Sequence, residues 1–344
     1  SSGPYPSRAV VENMADLRAQ LAANCRGVAA MEMMIDQGGL ENVQRFMAEW
    51  ADLAEVAGRQ CYARLADGLY TASDRMDDGS VIQVAVRVEG DRLAFDFSGT
   101  APVHGGNLNA TPAIVQSAIL YVLRLLVGEA LPLNEGLLRT VTIELPEGIL
   151  NPDFSGKVLP AVVGGNVETS QRIVDVLLTG FGLVANGQGT MNNVLFGNER
   201  FGYYETIGGG AGAGPGFSGA SGVHVHMSNT AITDVEILEH RFPVQLEQFA
   251  LRRGSGGKGQ YAGGDGLVRE YRFLEPMEVS LLLQRRNVPP CGAQGGGDGK
   301  VGKQLRILAN GERVAVDAIE GWKASIGEGL IVETPGGGGW GKED

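Results

Sequence analysis

Apolar and polar positions divide the chain into a helical opening and a longer part built of short strands. From Val11 to about Gln37, residues Met14, Leu17, Leu21, Cys25 and Val28 recur three and four apart, the period of one buried helix face. Gly38-Gly39 closes that helix, and a second follows from about Leu40 to Leu69, with Val43, Phe46, Trp50, Leu53, Val56 and Cys61 on its apolar side. Two long helices joined by a glycine pair predict an antiparallel hairpin. Met31, Met33 and Met34 read as core filler or a partner-facing surface rather than a cofactor box.

The period then shortens to two. Ser80–Val88 and Arg92–Phe97 alternate about the turn Glu89-Gly90-Asp91, a hairpin signal. Pro112 opens a helix running to Leu126, and Arg139–Leu145 reads as a strand. Gly164-Gly165-Asn166 precedes another helix, with Asn166 placed to cap it and Ile173, Val174, Leu177 and Leu178 as its buried stripe. Beyond it come short strands between glycine turns: Asn193–Phe196, Val223–Met227, Gly266–Phe273, Val279–Leu283, Gln304–Leu308 and Leu330–Glu333. The predicted class is α+β, with a helical hairpin over residues 1–75 and a glycine-rich, strand-rich region over 76–344.

Composition narrows the functional classes. Glycine, 53 of 344 residues, is about twice its usual share, and it concentrates between Tyr203 and Gly299. There His224, His226, Glu205, Asp265 and paired arginines interrupt it, which no flexible linker requires; the expectation is backbone bent tightly around polar side chains. A formal charge of −12 and no long basic run disfavour a nucleic-acid surface. Three scattered cysteines without CxxC spacing fit a reducing, cytoplasmic setting, and no apolar run reaches membrane-spanning length. Ser1-Ser2-Gly3 reads as an added tag or the remnant of a longer chain.

Several groups could carry chemistry. On a strand, His224 and His226 would share a face, which suits an acid–base pair or two metal ligands; equally, both could bond neighbouring loop backbone. Glu205 precedes Gly208-Gly209-Gly210, whose amides could form an anion nest or only a sharp turn. Arg252-Arg253 and Arg285-Arg286, oriented by Asp265, could clamp a carboxylate or close salt bridges between loops. Helix capping suits the start after Gly165 better than anion binding does, because Glu168 in the first turn would repel an anion. Gly254–Gly259 has the lysine of a phosphate loop but the wrong spacing, and no dinucleotide-binding glycine pattern joins a strand to a helix.

Several stretches together resemble the hydantoinase B family, shared by N-methylhydantoinase B subunits, the C-terminal half of oxoprolinase and the alpha subunits of acetone carboxylases. They are DLRAQLAAN at 16–24, Ser98-Gly99-Thr100 with Gly106-Asn107, GGNVETSQRIVD at 164–175, GTMNN at 189–193, YYETIGGGAGA at 203–213, GVHVHMSNT at 222–230, LEHRFPV at 238–244, RRGSGGKGQYAGGDG at 252–266 and TPGGGGWG at 334–341. The resemblance implies the B-type subunit, or its C-terminal part, of an ATP-dependent enzyme that opens a cyclic amide. An actin-like A-type partner would bind ATP and Mg and phosphorylate the substrate, in a hetero-oligomer. It leaves two alternatives, the alpha-type subunit of a ketone carboxylase and a non-catalytic scaffold for the A-type subunit. His224, His226 and Glu205 are the candidates for proton transfer, and Asn166, Glu168, Asn192, Asn193, Arg253 and Asp265 for the substrate pocket. Family members carry an upstream Asp-Pro…His segment that holds a divalent metal; this sequence has no equivalent, so no metal ligand is assigned in it, and a longer subunit or another polypeptide would supply that part.

Overall fold

The computed structural model describes residues 10–128, 130, 131 and 134–343; Ser1-Ser2-Gly3 lies outside them. The chain opens with α1 (Val10–Gly38) and α2 (Leu40–Tyr62), the expected hairpin. Helix α2 is shorter than the sequence pattern predicts. Tyr62 is fully buried and donates to the Leu137 carbonyl (3.0 Å), and the chain then turns into β1 (Gly68–Arg75). The apolar face expected to be buried on α1 is not: no residue of that helix is buried.

Strands β1, β2 (Val81–Glu89), β3 (Arg92–Asp96) and β4 (Val141–Glu144) form a first sheet in that order, antiparallel except for the β3–β4 pair. Alternation in β2 buries Ile82, Val84, Val86 and Val88 against α3 (Pro112–Val127) and α4 (Ser170–Gly180). Helix α4 is the central one, since every residue from Ser170 to Leu178 is buried. It is preceded by a single π-helical turn, Gly165–Thr169. A Cβ on Gly165 would lie 1.9 Å from the Asn109 carbonyl oxygen, so only glycine permits this approach. The helical backbone already begins at Val163, and Asn166, predicted to cap, sits exposed inside the turn.

Two further sheets face each other over a second core. One comprises β5 (Asn193–Gly197), β6 (Gly202–Glu205), β9 (Met277–Leu282) and β12 (Ile319–Ala324), in the order β12-β9-β5-β6. The other has the order β11-β10-β13-β8-β7, from β7 (Val244–Arg252), β8 (Gly266–Phe273), β10 (Lys303–Ile307), β11 (Arg313–Ala315) and β13 (Gly329–Glu333). Val194 and Phe196 from the first meet Tyr271, Phe273 and Val332 from the second. A short helix, α5 (Val235–Arg241), precedes β7. The class is α+β, as the sequence predicts.

The glycine-rich stretches wrap polar side chains at a few points, such as Asp265 and Asp298. Elsewhere they pack backbone against backbone. Gly257 N–H donates to Gly337 O (2.8 Å), Gly337 N–H to Gly264 O (2.9 Å), Gly264 N–H to Ala211 O (2.9 Å), and Gly338 N–H to Asn186 O (2.8 Å). The neighbouring stretch joins through Gly339 N–H to Gly297 O (2.9 Å) and Gly297 N–H to Lys258 O (2.7 Å). Extended segments thus run side by side, hydrogen-bonded in several directions, with no room for a Cβ between them. The Gly208-Gly209-Gly210 nest is excluded on the same grounds, because Gly209 and Gly210 donate their amides to Val223 O and Pro335 O.

Candidate functional site

The candidate functional side chains gather along one face of the π turn and α4. Glu168, Gln171, Arg172 and Asp175 stand three, four and seven residues apart, so they project together, and all four are buried. The sequence pattern marks the complementary stripe of Ile173, Val174, Leu177 and Leu178 as the buried one. Both faces are buried, and the polar one is lined with partners from distant loops.

At one end, Asp175 accepts from Arg285 Nη2 (2.8 Å) and from the Gly187 amide (3.1 Å). Arg285 also donates to Asp74 (2.7 Å), Asp74 lies 3.3 Å from Arg172, and Asn186 donates to Asp74 (3.2 Å). Two carboxylates and two guanidiniums thus neutralise each other away from water, where an unpaired charge would be costly. His226 lies at the edge of this group. Its Nε2 is 3.7 Å from Asp175 Oδ1, and its Nδ1 is 3.3 Å from the Tyr121 hydroxyl. Burial lowers the His226 pKa while Asp175 pulls it upward, and the net direction is down, so the ring is neutral near pH 7.

His224 points elsewhere. Val223–Met227 is a loop rather than the predicted strand; only Val223 bridges to Gly209, and His226 adopts φ +54°. The two rings therefore do not share a face. His224 Nδ1 meets Ser228 Oγ (2.8 Å), and Nε2 meets Thr230 Oγ1 (3.4 Å). Burial lowers its pKa as well, with Glu205 opposing.

Glu205 is fully engaged. It accepts from Arg269 Nε (2.8 Å) and Nη2 (3.2 Å), from Tyr203 (2.8 Å) and from Tyr271. A carboxylate with four donors is a poor proton carrier, and this one ties β6 to β8. Asp265 is likewise occupied, accepting from the amides of Ser255 (2.8 Å) and Gly256 (2.9 Å); Arg253 is exposed on the surface.

At the other end of the face, Glu168 Oε1 accepts from the Met191 amide (3.0 Å) and from Asn193 Nδ2 (2.5 Å), and Asn193 in turn accepts from the Tyr204 hydroxyl (2.6 Å). Glu168 Oε2 has no partner. Burial pushes this carboxyl up to about 8, although Thr190, Met191, Arg286 and Asn193 all pull it down. At neutral pH it is a protonated acid. Asn192, at φ +49°, donates to Gln188 (2.8 Å) and accepts from Arg286 Nη1 (2.8 Å). Burial lowers Arg286 to about 10, with Glu168 and Asp77 opposing.

A raised carboxyl pKa has a signed consequence. The folded chain holds the Glu168 proton between its ordinary value of 4.5 and about 8, whereas the unfolded chain releases it there. The resulting stabilisation is complete below 4.5 and is lost as pH rises to about 8. Melting temperatures of the native chain and Glu168→Gln should therefore diverge across that window, with the native chain losing ground at the alkaline end. Parallel curves would show that the carboxyl is ionised when folded.

Sequence reasoning misses Arg172, Asp175, Asp74 and Tyr121 as site residues, and it places Arg285 and Arg286 only as halves of a clamp. That pairing does not form: Arg285 bonds Asp74 and Asp175, and Arg252 bonds Glu333 (2.9 Å). The available signal is the spacing of Glu168, Gln171, Arg172 and Asp175, polar at helical period beside a strongly apolar stripe. Among the described residues, no three His, Cys, Asp or Glu side chains converge to hold a metal ion, and no helix is long and apolar enough to cross a membrane.

The family model for hydantoinase B/oxoprolinase matches residues 5–343. The chain belongs to that family. It is 43% identical over 349 residues to the 5-oxoprolinase of Dictyostelium discoideum, covering 98% of this chain and 27% of that protein. In fold it is similar to the ATP-dependent caprolactamase of Pseudomonas jessenii, with a TM-score of 0.83 and 23% identity over 98% of this chain and 62% of that one. A nucleotide-free acetone carboxylase shares the fold at a TM-score of 0.80 and 15% identity, over 90% of this chain and 50% of that one. This member thus spans about a quarter of the length of the 5-oxoprolinase it matches.

Proposed function

We propose that this chain is the B-type part of an ATP-dependent amidohydrolase that opens a cyclic amide after an A-type, actin-like partner has phosphorylated it. The 43% identity to a 5-oxoprolinase over 98% of the chain carries the reading, because 5-oxoproline is itself a five-membered lactam. The same figure favours hydrolysis over ketone carboxylation, since the acetone carboxylase likeness is one of fold at 15% identity. ATP on the partner would supply the phosphoryl group that makes the amide oxygen a leaving group.

On this reading the residues of this chain serve the hydrolytic half. Neutral His226 accepts a proton at Nδ1, relayed from the attacking water through the Tyr121 hydroxyl, and Asp175 steadies the Nε2 side of the ring. Protonated Glu168 is a donor, set in place by Asn193 and Tyr204, and Asn192 and Arg286 provide polar edges beside it. His224 is a second candidate base; Glu205 acts by holding the neighbouring strands. Surface cavities of about 590 and 400 Å³ lie elsewhere, beside Arg139 and Ile143 and beside Glu247 and Arg272, respectively. This arrangement supports a site whose other wall comes from outside these 344 residues.

The division of labour is directly testable. The purified chain should neither hydrolyse ATP nor open a lactam, and both activities should appear when it is assembled with an A-type polypeptide. Robust ATPase activity from this chain alone would overturn the assignment.

A further inference from the structure

Two long helices with no described residue packed on their outer side are anomalous in a molecule with two well-filled cores. Every described residue of α1 is unburied, and the stripe that recurs at helical period is open, with Leu17 52%, Leu21 65% and Val28 59% exposed. On α2, Phe46, Trp50 and Leu53 are each half exposed. The buried residues of α2 are Val43 near its start and Ala54, Gly58 and Tyr62 in its C-terminal half. A 29-residue helix is about 43 Å long. An apolar stripe of that length in water marks an interface.

Charge limits what can cover it. The hairpin carries eight acidic side chains against four arginines and no lysine. If a second copy packed antiparallel on α1 about its middle, Glu12 would face Asp36 and Asp16 would face Glu32; parallel packing would set each acid against itself. Like charges would meet along either self-pairing. A partner with basic edges avoids this.

We propose that the outer face of α1 and α2 is the seat of a folded polypeptide unit with an apolar groove edged by lysine or arginine. That unit is the counterpart of the part of the caprolactamase chain that this chain does not match. The match covers 62% of that solved chain, so 38% of it lies outside the shared fold. This inference rests on the shared fold and stands apart from the ring-opening reading, because none of its tests measures activity.

Three measurements decide it. In sedimentation equilibrium the 344-residue chain should remain monomeric at high micromolar concentration; a stable dimer would assign the face to a second copy instead. Leu17→Glu combined with Leu21→Glu should leave the melting temperature of this chain unchanged, because both side chains already lie in water; a marked drop would mean they are packed. Hydrogen exchange over the caprolactamase helices aligned with α1 and α2 should be about 100-fold slower in its whole chain than in a version cut to the matched segment. Equal exchange, or protection that appears only when another subunit is added, would overturn the assignment.

Discussion

Gly337→Ala should leave the chain unfolded or destabilised by more than ~4 kcal/mol, an effect seldom reached by adding one methyl group. The Cβ would stand 1.9 Å from the Ala211 carbonyl oxygen, in backbone that is itself hydrogen-bonded on both sides. Side chains can rotate away from an intruding methyl, but a carbonyl held in a ladder cannot move without breaking its neighbours' bonds. Gly27→Ala gives the matched control. Gly27 lies inside α1, and a methyl group added there would meet nothing within 4 Å, so alanine should stabilise the helix by roughly 0.5–1 kcal/mol. Thermal or urea unfolding of the two variants reads both effects. Similar midpoints would mean that the glycine segments are loosely associated and that their composition has another cause.

In the assembled enzyme, His226→Ala should lower kcat by ~10²-fold or more, the range general acid–base groups contribute. The pH profile separates this role from a structural one. A base must be unprotonated to act, and burial lowers the His226 pKa below its ordinary 6.5. Activity should thus persist into mildly acidic solution and fall only as pH drops through that lowered value. Asp175→Asn removes the charge that draws the imidazole pKa upward, so it should shift the acid limb further down. Unchanged turnover in His226→Ala would demote the ring to a packing residue. A loss of the same size in His224→Ala but not His226→Ala would move the base to the Ser228 and Thr230 side of the loop.

Most regular elements were legible from local pattern. The Glu89-Gly90-Asp91 turn, Pro112 at a helix start and the alternation of Val81–Glu89 each depend on neighbours a few residues away. The failures have one cause. His224-Val225-His226 alternates like a strand, but the segment is held by Gly209 on one side and Gln171 on the other, and His226 turns to positive φ. Helix α2 stops at Tyr62, whose side chain is fixed by Leu137, a contact 75 residues away that no window of sequence contains. The face of α1 reads as buried from its periodicity, and that periodicity records a preference for a partner without saying whether the partner is in the same chain.

The stretch of glycines from Tyr203 onward shows the same division. Sequence alone determined the family and the α+β class, and it singled out His224, His226, Glu205, Glu168, Asn192 and Asn193 as candidates. Only the tertiary structure decided which of them are available for chemistry. Glu205 is locked by Arg269 from 64 residues away, and Asp175 meets Arg285 across 110, whereas Glu168 is fully buried with no hydrogen-bond partner for Oε2. Local periodicity reports how a residue suits its own helix or strand. The protonation and partners of a buried group depend on what the fold brings to it, and for glycine, which has no side chain, the pattern carries no record of what lies alongside.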